Sequence, residues 1–153
     1  METVKIRPFS AELAPFFLSI NKQWIDQYFF MEPFDVEQLE NPDRTILAEG
    51  GEILFAEWED EIVGTVALKK MDESQYELIK MGVLPQAQGK NIGFLLGKAA
   101  LELAKSKGAK KVVLYTNSIL APAVGLYRKM GFRAVPIEPG KYDRCDVKME
   151  VVL

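Results

Sequence analysis

The chain has 153 residues, of which 48% are hydrophobic and 27% charged, with a formal net charge of −3. That balance describes a single globular domain over residues 1–153 and gives no bulk electrostatic support for nucleic-acid binding. One cysteine, Cys145, and no histidine exclude Ser-His-Asp and Cys-His hydrolases, internal disulfides and the common zinc sites.

The N-terminal residues carry no leader-like apolar stretch and no apolar run approaches about 18 residues, which points to a cytoplasmic protein with no membrane partner. In chain order, residues 3–7 alternate up to Pro8 and read as an edge strand. Ser10 is placed to cap a helix on which Leu13, Phe16, Phe17 and Ile20 recur at helical spacing. Residues 21–40 are aromatic and acidic, with Trp24, Tyr28, Phe29, Phe30 and Phe34, and read as short helices broken at Pro33. Asn41-Pro42-Asp43 opens another short helix ending near Gly50-Gly51. Residues 52–58 and 62–69 flank the charged turn Glu59-Asp60-Glu61 and form a hairpin. A strand over 76–84, a helix reaching about Lys107 and closed by Gly108, and a buried strand over 112–115 come next. A helix over 122–130 stopped by Gly131 precedes strands at 132–135 and 146–152. The order is mixed α and β, with one strand–helix–strand crossover at its centre.

The densest chemistry lies at that crossover. Val83-Leu84-Pro85 ends an apolar run, Gln86 to Lys90 forms a small-residue turn, and Asn91-Ile92-Gly93-Phe94 enters a helix. Loop amides and the unpaired amides of the helix start then converge, aided by the helix dipole, on a place suited to a phosphate.

Two patterns stand together: Gln88-Gly89-Lys90-Asn91-Ile92-Gly93, and Leu126-Tyr127-Arg128-Lys129-Met130-Gly131-Phe132. Their order and spacing resemble the GNAT superfamily of acyl-CoA-dependent N-acetyltransferases, closely over residues 76–135. The resemblance implies an α+β fold with a mostly antiparallel, splayed sheet of about seven strands flanked by helices. It implies acetyl-CoA as co-substrate, with no metal. The pyrophosphate would lie on Gln88, Gly89, Lys90, Asn91, Ile92, Gly93 and Phe94. The acyl-pantetheine arm would run between the Met81-Gly82-Val83 strand and the 112–115 strand, with an amide near Val83 polarising the thioester carbonyl.

Tyr127 matches the family's proton donor to the departing thiolate; a phenol near pKa ~10 can donate to a thiolate whose conjugate acid sits near ~8.5. The family's glycine is Asn91 here, the non-glycine residue type most tolerant of positive φ. Its pantetheine-binding asparagine is Leu120, for which Asn117 is the nearby substitute. Glu77 lies six residues before Val83, and strand parity places Glu77, Ile79, Met81 and Val83 on one face. A glutamate at this offset resembles the base of the histone-acetylating branch; a water chain is the alternative.

The acceptor, a primary amine of a small molecule, peptide or protein, would meet Trp24, Tyr28, Tyr142 and Arg144. Glu32, Asp35, Glu37 and Glu40 make either a cation-attracting patch or a solvated helix face. Homodimers are common for such a fold. Each assignment has an ordinary counterpart: helix–sheet packing for the glycines, ring packing for Tyr127, a solvated strand position for Glu77, core for the aromatics, and packing in the last strand for Cys145. A non-catalytic acyl-CoA-binding module is the alternative function.

Overall fold

The computed structural model describes residues 3–138 and 145–153. Seven strands form one sheet in the order β1-β2-β3-β4-β5-β7-β6. They are β1 (Lys5–Pro8), β2 (Glu52–Trp58), β3 (Glu61–Lys70), β4 (Gln75–Val83), β5 (Lys111–Thr116), β6 (Arg133–Val135) and β7 (Val147–Val152). Every pairing is antiparallel except β4 with β5. A parallel pair needs a crossover, which helix α3 (Ile92–Ser106) supplies.

The α3 face of the sheet buries Leu96, Ala100 and Ala104 against Val66, Leu78, Val112 and Leu114, with Val124, Tyr127 and Met130 of α4 (Ala121–Lys129) at its margin. The opposite face buries Phe17, Ile20 and Ile25 of α1 (Ala14–Tyr28) and Leu39 of α2 (Pro33–Glu40) against Ile53, Phe55 and Ala67. The apolar spacing of α1 and α3 therefore does what an amphipathic pattern should.

Local chemistry explains where elements start. The β2–β3 hairpin closes on Glu59 and Asp60, both with positive φ (53° and 63°), the conformation a tight hairpin turn requires. Ser10 is not a helix cap: α1 begins at Ala14 behind Leu13 with no side-chain cap, and the Ser10 carbonyl instead accepts the Leu13 N–H at 3.0 Å. Pro15 in the first turn costs no hydrogen bond there. Nor does Pro33 break a helix. It opens α2, where Glu32 and Asp35 form a reciprocal capping box. Residues 21–28 continue α1 rather than forming a separate helix.

A bulge in β4 decides the centre of the molecule. Ile79 pairs with Ala67 and Gly82 with Thr65, so Lys80 and Met81 together oppose Val66, with Lys80 at φ 53°. The extra residue reverses the alternation. Strand parity therefore fails here. Tyr76, Leu78, Met81 and Val83 pack toward α3, whereas Ile79 packs toward α1 and Gly82 lies against Trp24 and Ile20. Glu77 shares the face of Ile79, not that of Met81 and Val83.

Candidate active site

Strands β4 and β5 are paired only from Gln75↔Lys111 to Glu77↔Val113. Beyond that rung β4 bulges away while β5 stays paired to β7 as far as Thr116. The wedge between them opens into a cavity of about 560 Å³. Its walls include Leu78 to Val83, Leu114 to Asn117, the loop from Ala87 to Gly89, the start of α3, Leu120, and Pro122, Ala123, Leu126 and Tyr127 of α4.

At one end lies the loop. Leu84 N–H donates to the Val63 carbonyl at 2.8 Å. Because hydrogen-bonded and non-hydrogen-bonded pairs alternate in an antiparallel ladder, the neighbouring Gly64↔Val83 pair turns the Val83 N–H away from β3, into the wedge. The Gln88 side-chain amide donates to the Val83 carbonyl at 3.1 Å, tying the loop to the strand. Gly89 has φ 81° with open space around it, so conformation rather than room requires a glycine there.

Asn91 takes the left-handed conformation, φ 65° and ψ 15°, and its carbonyl accepts the Leu95 N–H. The amides of Ile92, Gly93 and Phe94 thus lie ahead of the first intrahelical bond, and the dipole of a 15-residue helix stands behind them. Gly93 and Gly97 do a different job. A Cβ on Gly93 would meet Leu126 Cδ2 at 3.0 Å, and one on Gly97 would meet Met130 Cε at 2.2 Å; these glycines admit α4. Lys90 does not border the cavity, and its ammonium lies 4.7 Å from the centre of the Trp58 ring.

Tyr127 borders the cavity and packs edge-on against Phe132, with ring centroids 6.1 Å apart. Burial pushes its phenol up to about 12, so it is protonated at any working pH. The same desolvation raises the pKa of a thiol held beside it, which limits the mismatch between donor and thiolate. Leu120 sits at the α4 cap position and lines the cavity. The Asn117 side-chain oxygen accepts the Ile119 N–H at 2.9 Å, and Ser118 is held by Asp146 through its N–H (2.8 Å) and hydroxyl (2.6 Å). Both polar contacts shape the entry to α4.

At the other end is an aromatic chamber. Trp24, Tyr28, Phe29 and Phe34 border it, with Glu77, Ile79 and Lys80 of β4. Glu77 is only 3% exposed, so it is no solvated strand residue. The Lys80 ammonium pairs with the Asp35 carboxylate, both side chains buried, and lies 5.1 Å from the Phe34 ring centre. Asp35 also accepts the Glu32 N–H at 3.0 Å. The acidic stretch is therefore neither a solvated face nor an open patch throughout: Asp35 is buried against Lys80, and Glu37 pairs with Arg44 at 2.5 Å.

On β5, the Tyr115 hydroxyl donates to Glu138 Oε2 at 2.5 Å, and Lys148 pairs with the same carboxylate. Burial, then the Glu138 hydrogen bond, raises the Tyr115 phenol well above its ordinary range. The Lys148 hydrogen bond, then the Tyr115 one, pulls Glu138 down to about 2. Cys145 borders the cavity ahead of β7 rather than packing within the strand. Tyr142 and Arg144 lie outside the described residues.

Sequence reasoning missed Lys80 and Tyr115, and it missed the buried pairing of Asp35. Their only signal was a lysine inside an apolar strand and an aspartate three residues from a helix start, too common to separate from surface positions. Among the described residues no group of three His, Cys, Asp or Glu side chains gathers as a metal site, and no helix is long and apolar enough to cross a membrane.

This geometry has close counterparts. An acetyltransferase of the GNAT family from Staphylococcus aureus Mu50 superposes with a TM-score of 0.86 at 21% identity, covering 98% of this chain and 99% of that one. The PaiA N-acetyltransferase of Thermoplasma acidophilum, solved in complex with coenzyme A, superposes at 0.80 with 20% identity, covering 99% of each chain. In sequence, mycothiol acetyltransferase of Actinosynnema mirum is 39% identical over 82 residues, 54% of this chain and 28% of that protein; the match spans well under half of the relative. The sequence model of the Acetyltransferase (GNAT) family matches residues 17–132. The chain belongs to the GNAT acetyltransferase family.

Proposed function

We propose that this protein transfers the acetyl group of acetyl-CoA directly to a primary amine. The observation that carries the reading is convergence on one cavity: the Val83 N–H and the α3 amides at one end, Tyr127 on α4, and buried Glu77 at the base of the wedge. The fit to acetyl-CoA is chemical. Orphan amides and a helix dipole suit a pyrophosphate, a strand edge left unpaired for half its length suits an amide-bearing arm, and the Val83 N–H suits a thioester carbonyl.

In the reaction the amine nitrogen forms a bond to the carbonyl carbon, and the C–S bond breaks. The amine's proton leaves to Glu77, directly or through water, and Tyr127 delivers a proton to the thiolate. The aromatic chamber holds the acceptor beside Glu77.

The test is a thermal-shift titration with acetyl-CoA, CoA and ATP, run beside a thiol-release assay. A ligand that binds only the native state raises stability by RT ln(1 + [L]/Kd), about 2.7 kcal/mol at a hundredfold excess over Kd. Stabilisation by acetyl-CoA and CoA but not ATP, with amine-dependent thiol release, is the expected result. No shift at saturating acetyl-CoA overturns the reading; a shift without thiol release across a broad amine panel returns the chain to an acyl-CoA-binding module.

A further inference from the structure

Resting on that acetyltransferase reading for its chemical consequence, we propose that the buried Lys80–Asp35 pair is a register lock on β4. It aims the Val83 N–H into the wedge by favouring the bulged strand over the regular one. Lys80 and Asp35 are thus positioning residues, which act through the backbone and not on the substrate.

The register needs a lock. A strand that continued in the register of Ile79↔Ala67 would set Val83 opposite Val63. The Val63 carbonyl accepts the Leu84 N–H at 2.8 Å; in the regular register the Val83 N–H would take that place, and the wedge would lose its donor. The bulged form also carries a backbone cost. Lys80 sits at φ 53°, a region that residues with a Cβ seldom enter, and lysine lacks the short polar side chain with which Asn or Asp tolerates it.

The pair supplies the compensation. In a regular strand residue 80 would follow Tyr76 and Leu78 onto the α3 face. An ammonium would then enter the layer of Leu96, Ala100 and Leu114, far from Asp35. That register carries two penalties: a cation buried among hydrocarbon, and a buried carboxylate deprived of its cation. The bulge turns Lys80 to the opposite face, where Asp35 is held in place. Asp35 accepts the Glu32 N–H at 3.0 Å in the capping box of α2, and α2 is anchored by buried Leu39. The Lys80 ammonium also lies 5.1 Å from the centre of the Phe34 ring, on the residue before Asp35. Specifying register is the best-attested use of a buried polar group.

The test separates register from stability with double variants that share Asp35→Asn, whose amide oxygen can still accept the Glu32 N–H. Lys80→Gly takes a positive φ without a Cβ penalty and keeps the bulge. Lys80→Ala and Lys80→Met favour the regular strand and are at home on the α3 face. The readout is backbone amide exchange by NMR in the ligand-free proteins. In wild type and in the Lys80→Gly double, Val83 is expected to exchange at least about tenfold faster than Leu84, because a ladder bond protects and an open amide does not. In the Lys80→Ala and Lys80→Met doubles the order reverses. All three doubles lack the pair, so a merely structural loss falls on them alike. The same exchange order in all three, slower exchange of Val83 than of Leu84 in wild type, or failure of either class of double to fold overturns the lock.

A second readout follows the consequence for the reaction. Carbonyl-labelled acetyl-CoA, bound without amine, is observed by isotope-edited infrared spectroscopy. Wild type and the Lys80→Gly double should move the thioester carbonyl stretch to lower frequency than in free acetyl-CoA, and the Lys80→Ala double should lose that shift. Acetyl-CoA bound to wild type with an unshifted carbonyl overturns the positioning role, whatever the exchange order. No binding at all removes the acetyltransferase reading itself.

Discussion

Placing a methyl group on Gly82 tests the joint between the bulged strand and the aromatic chamber. A Cβ there would lie 2.8 Å from Trp24 Cδ1, 3.0 Å from Trp24 Nε1 and 3.3 Å from Ile20 Cγ2. Ordinary carbon–carbon contact begins near 3.5 Å, so the indole must retreat by about 0.7 Å. It has little freedom to do so. Its N–H is held by Asn21, which is fully buried and itself donates to the Phe17 carbonyl at 2.9 Å, and Ile20 is 2% exposed. Overpacking of this kind costs about 1–3 kcal/mol, which for a domain of this size lowers Tm by about 2–12 °C.

Gly82→Ala is therefore expected to melt lower, to shift Trp24 emission when measured in a Trp58→Phe background, and to raise KM for the amine while leaving KM for acetyl-CoA unchanged. In a Trp24→Phe background the penalty should shrink, giving a coupling of at least about 0.5 kcal/mol in the double-mutant cycle. A Gly82→Ala protein that melts within about 1 °C of wild type with unaltered amine KM would refute the placement of Trp24 against this strand.

Other outcomes follow from the same geometry. Tyr127→Phe keeps the ring packing on Phe132 and loses only the proton donor, so kcat should fall by about 10²–10⁴-fold while stabilisation by acetyl-CoA persists; undiminished turnover would remove Tyr127 from the chemistry. For the buried Lys80–Asp35 pair, Lys80→Met alone should cost about 3–5 kcal/mol by removing the cation beside a buried carboxylate, whereas Lys80→Met with Asp35→Leu should recover part of that loss, short by the ~0.5–2 kcal/mol of the cap that Asp35 gives the Glu32 N–H, as read by denaturant melts. Glu138 is lowered from 4.5 to about 2, so the folded state favours its ionised form. Its stabilisation is fully present above pH 4.5 and is lost as pH falls toward 2. Glu138→Gln should therefore melt below wild type at neutral pH, and the gap should close through that acidic window; a constant gap would show that the charge is not what matters.

The amino-acid sequence by itself determined the features that local chemistry controls. A proline-ended apolar run, a turn rich in Gly, Gln and Asn and an amphipathic segment can only be strand, loop and helix, and the structure has them at Gln75–Val83, 84–91 and Ile92–Ser106. Asn91 adopts the positive φ its side chain tolerates, and Tyr127 borders the cavity. Family membership followed from the same stretch.

What the tertiary structure decided is everything that depends on register. The bulge at Lys80 inserts one residue opposite Val66, and no local residue preference announces it. That single residue separates Glu77 and Ile79 from Met81 and Val83, defeating a parity argument that is sound for a regular strand. The partners of the bulge are equally invisible along the chain, because Asp35 is 45 positions from Lys80 and only packing of α2 on the sheet brings them together. Burial then turned an acidic stretch that reads as solvated or cation-seeking into one side of a neutral pair, since a carboxylate without water needs a cation. Loop and helix start were local and therefore legible; the aromatic chamber is assembled from α1, α2, β4 and β5, and its chemistry exists only once they meet.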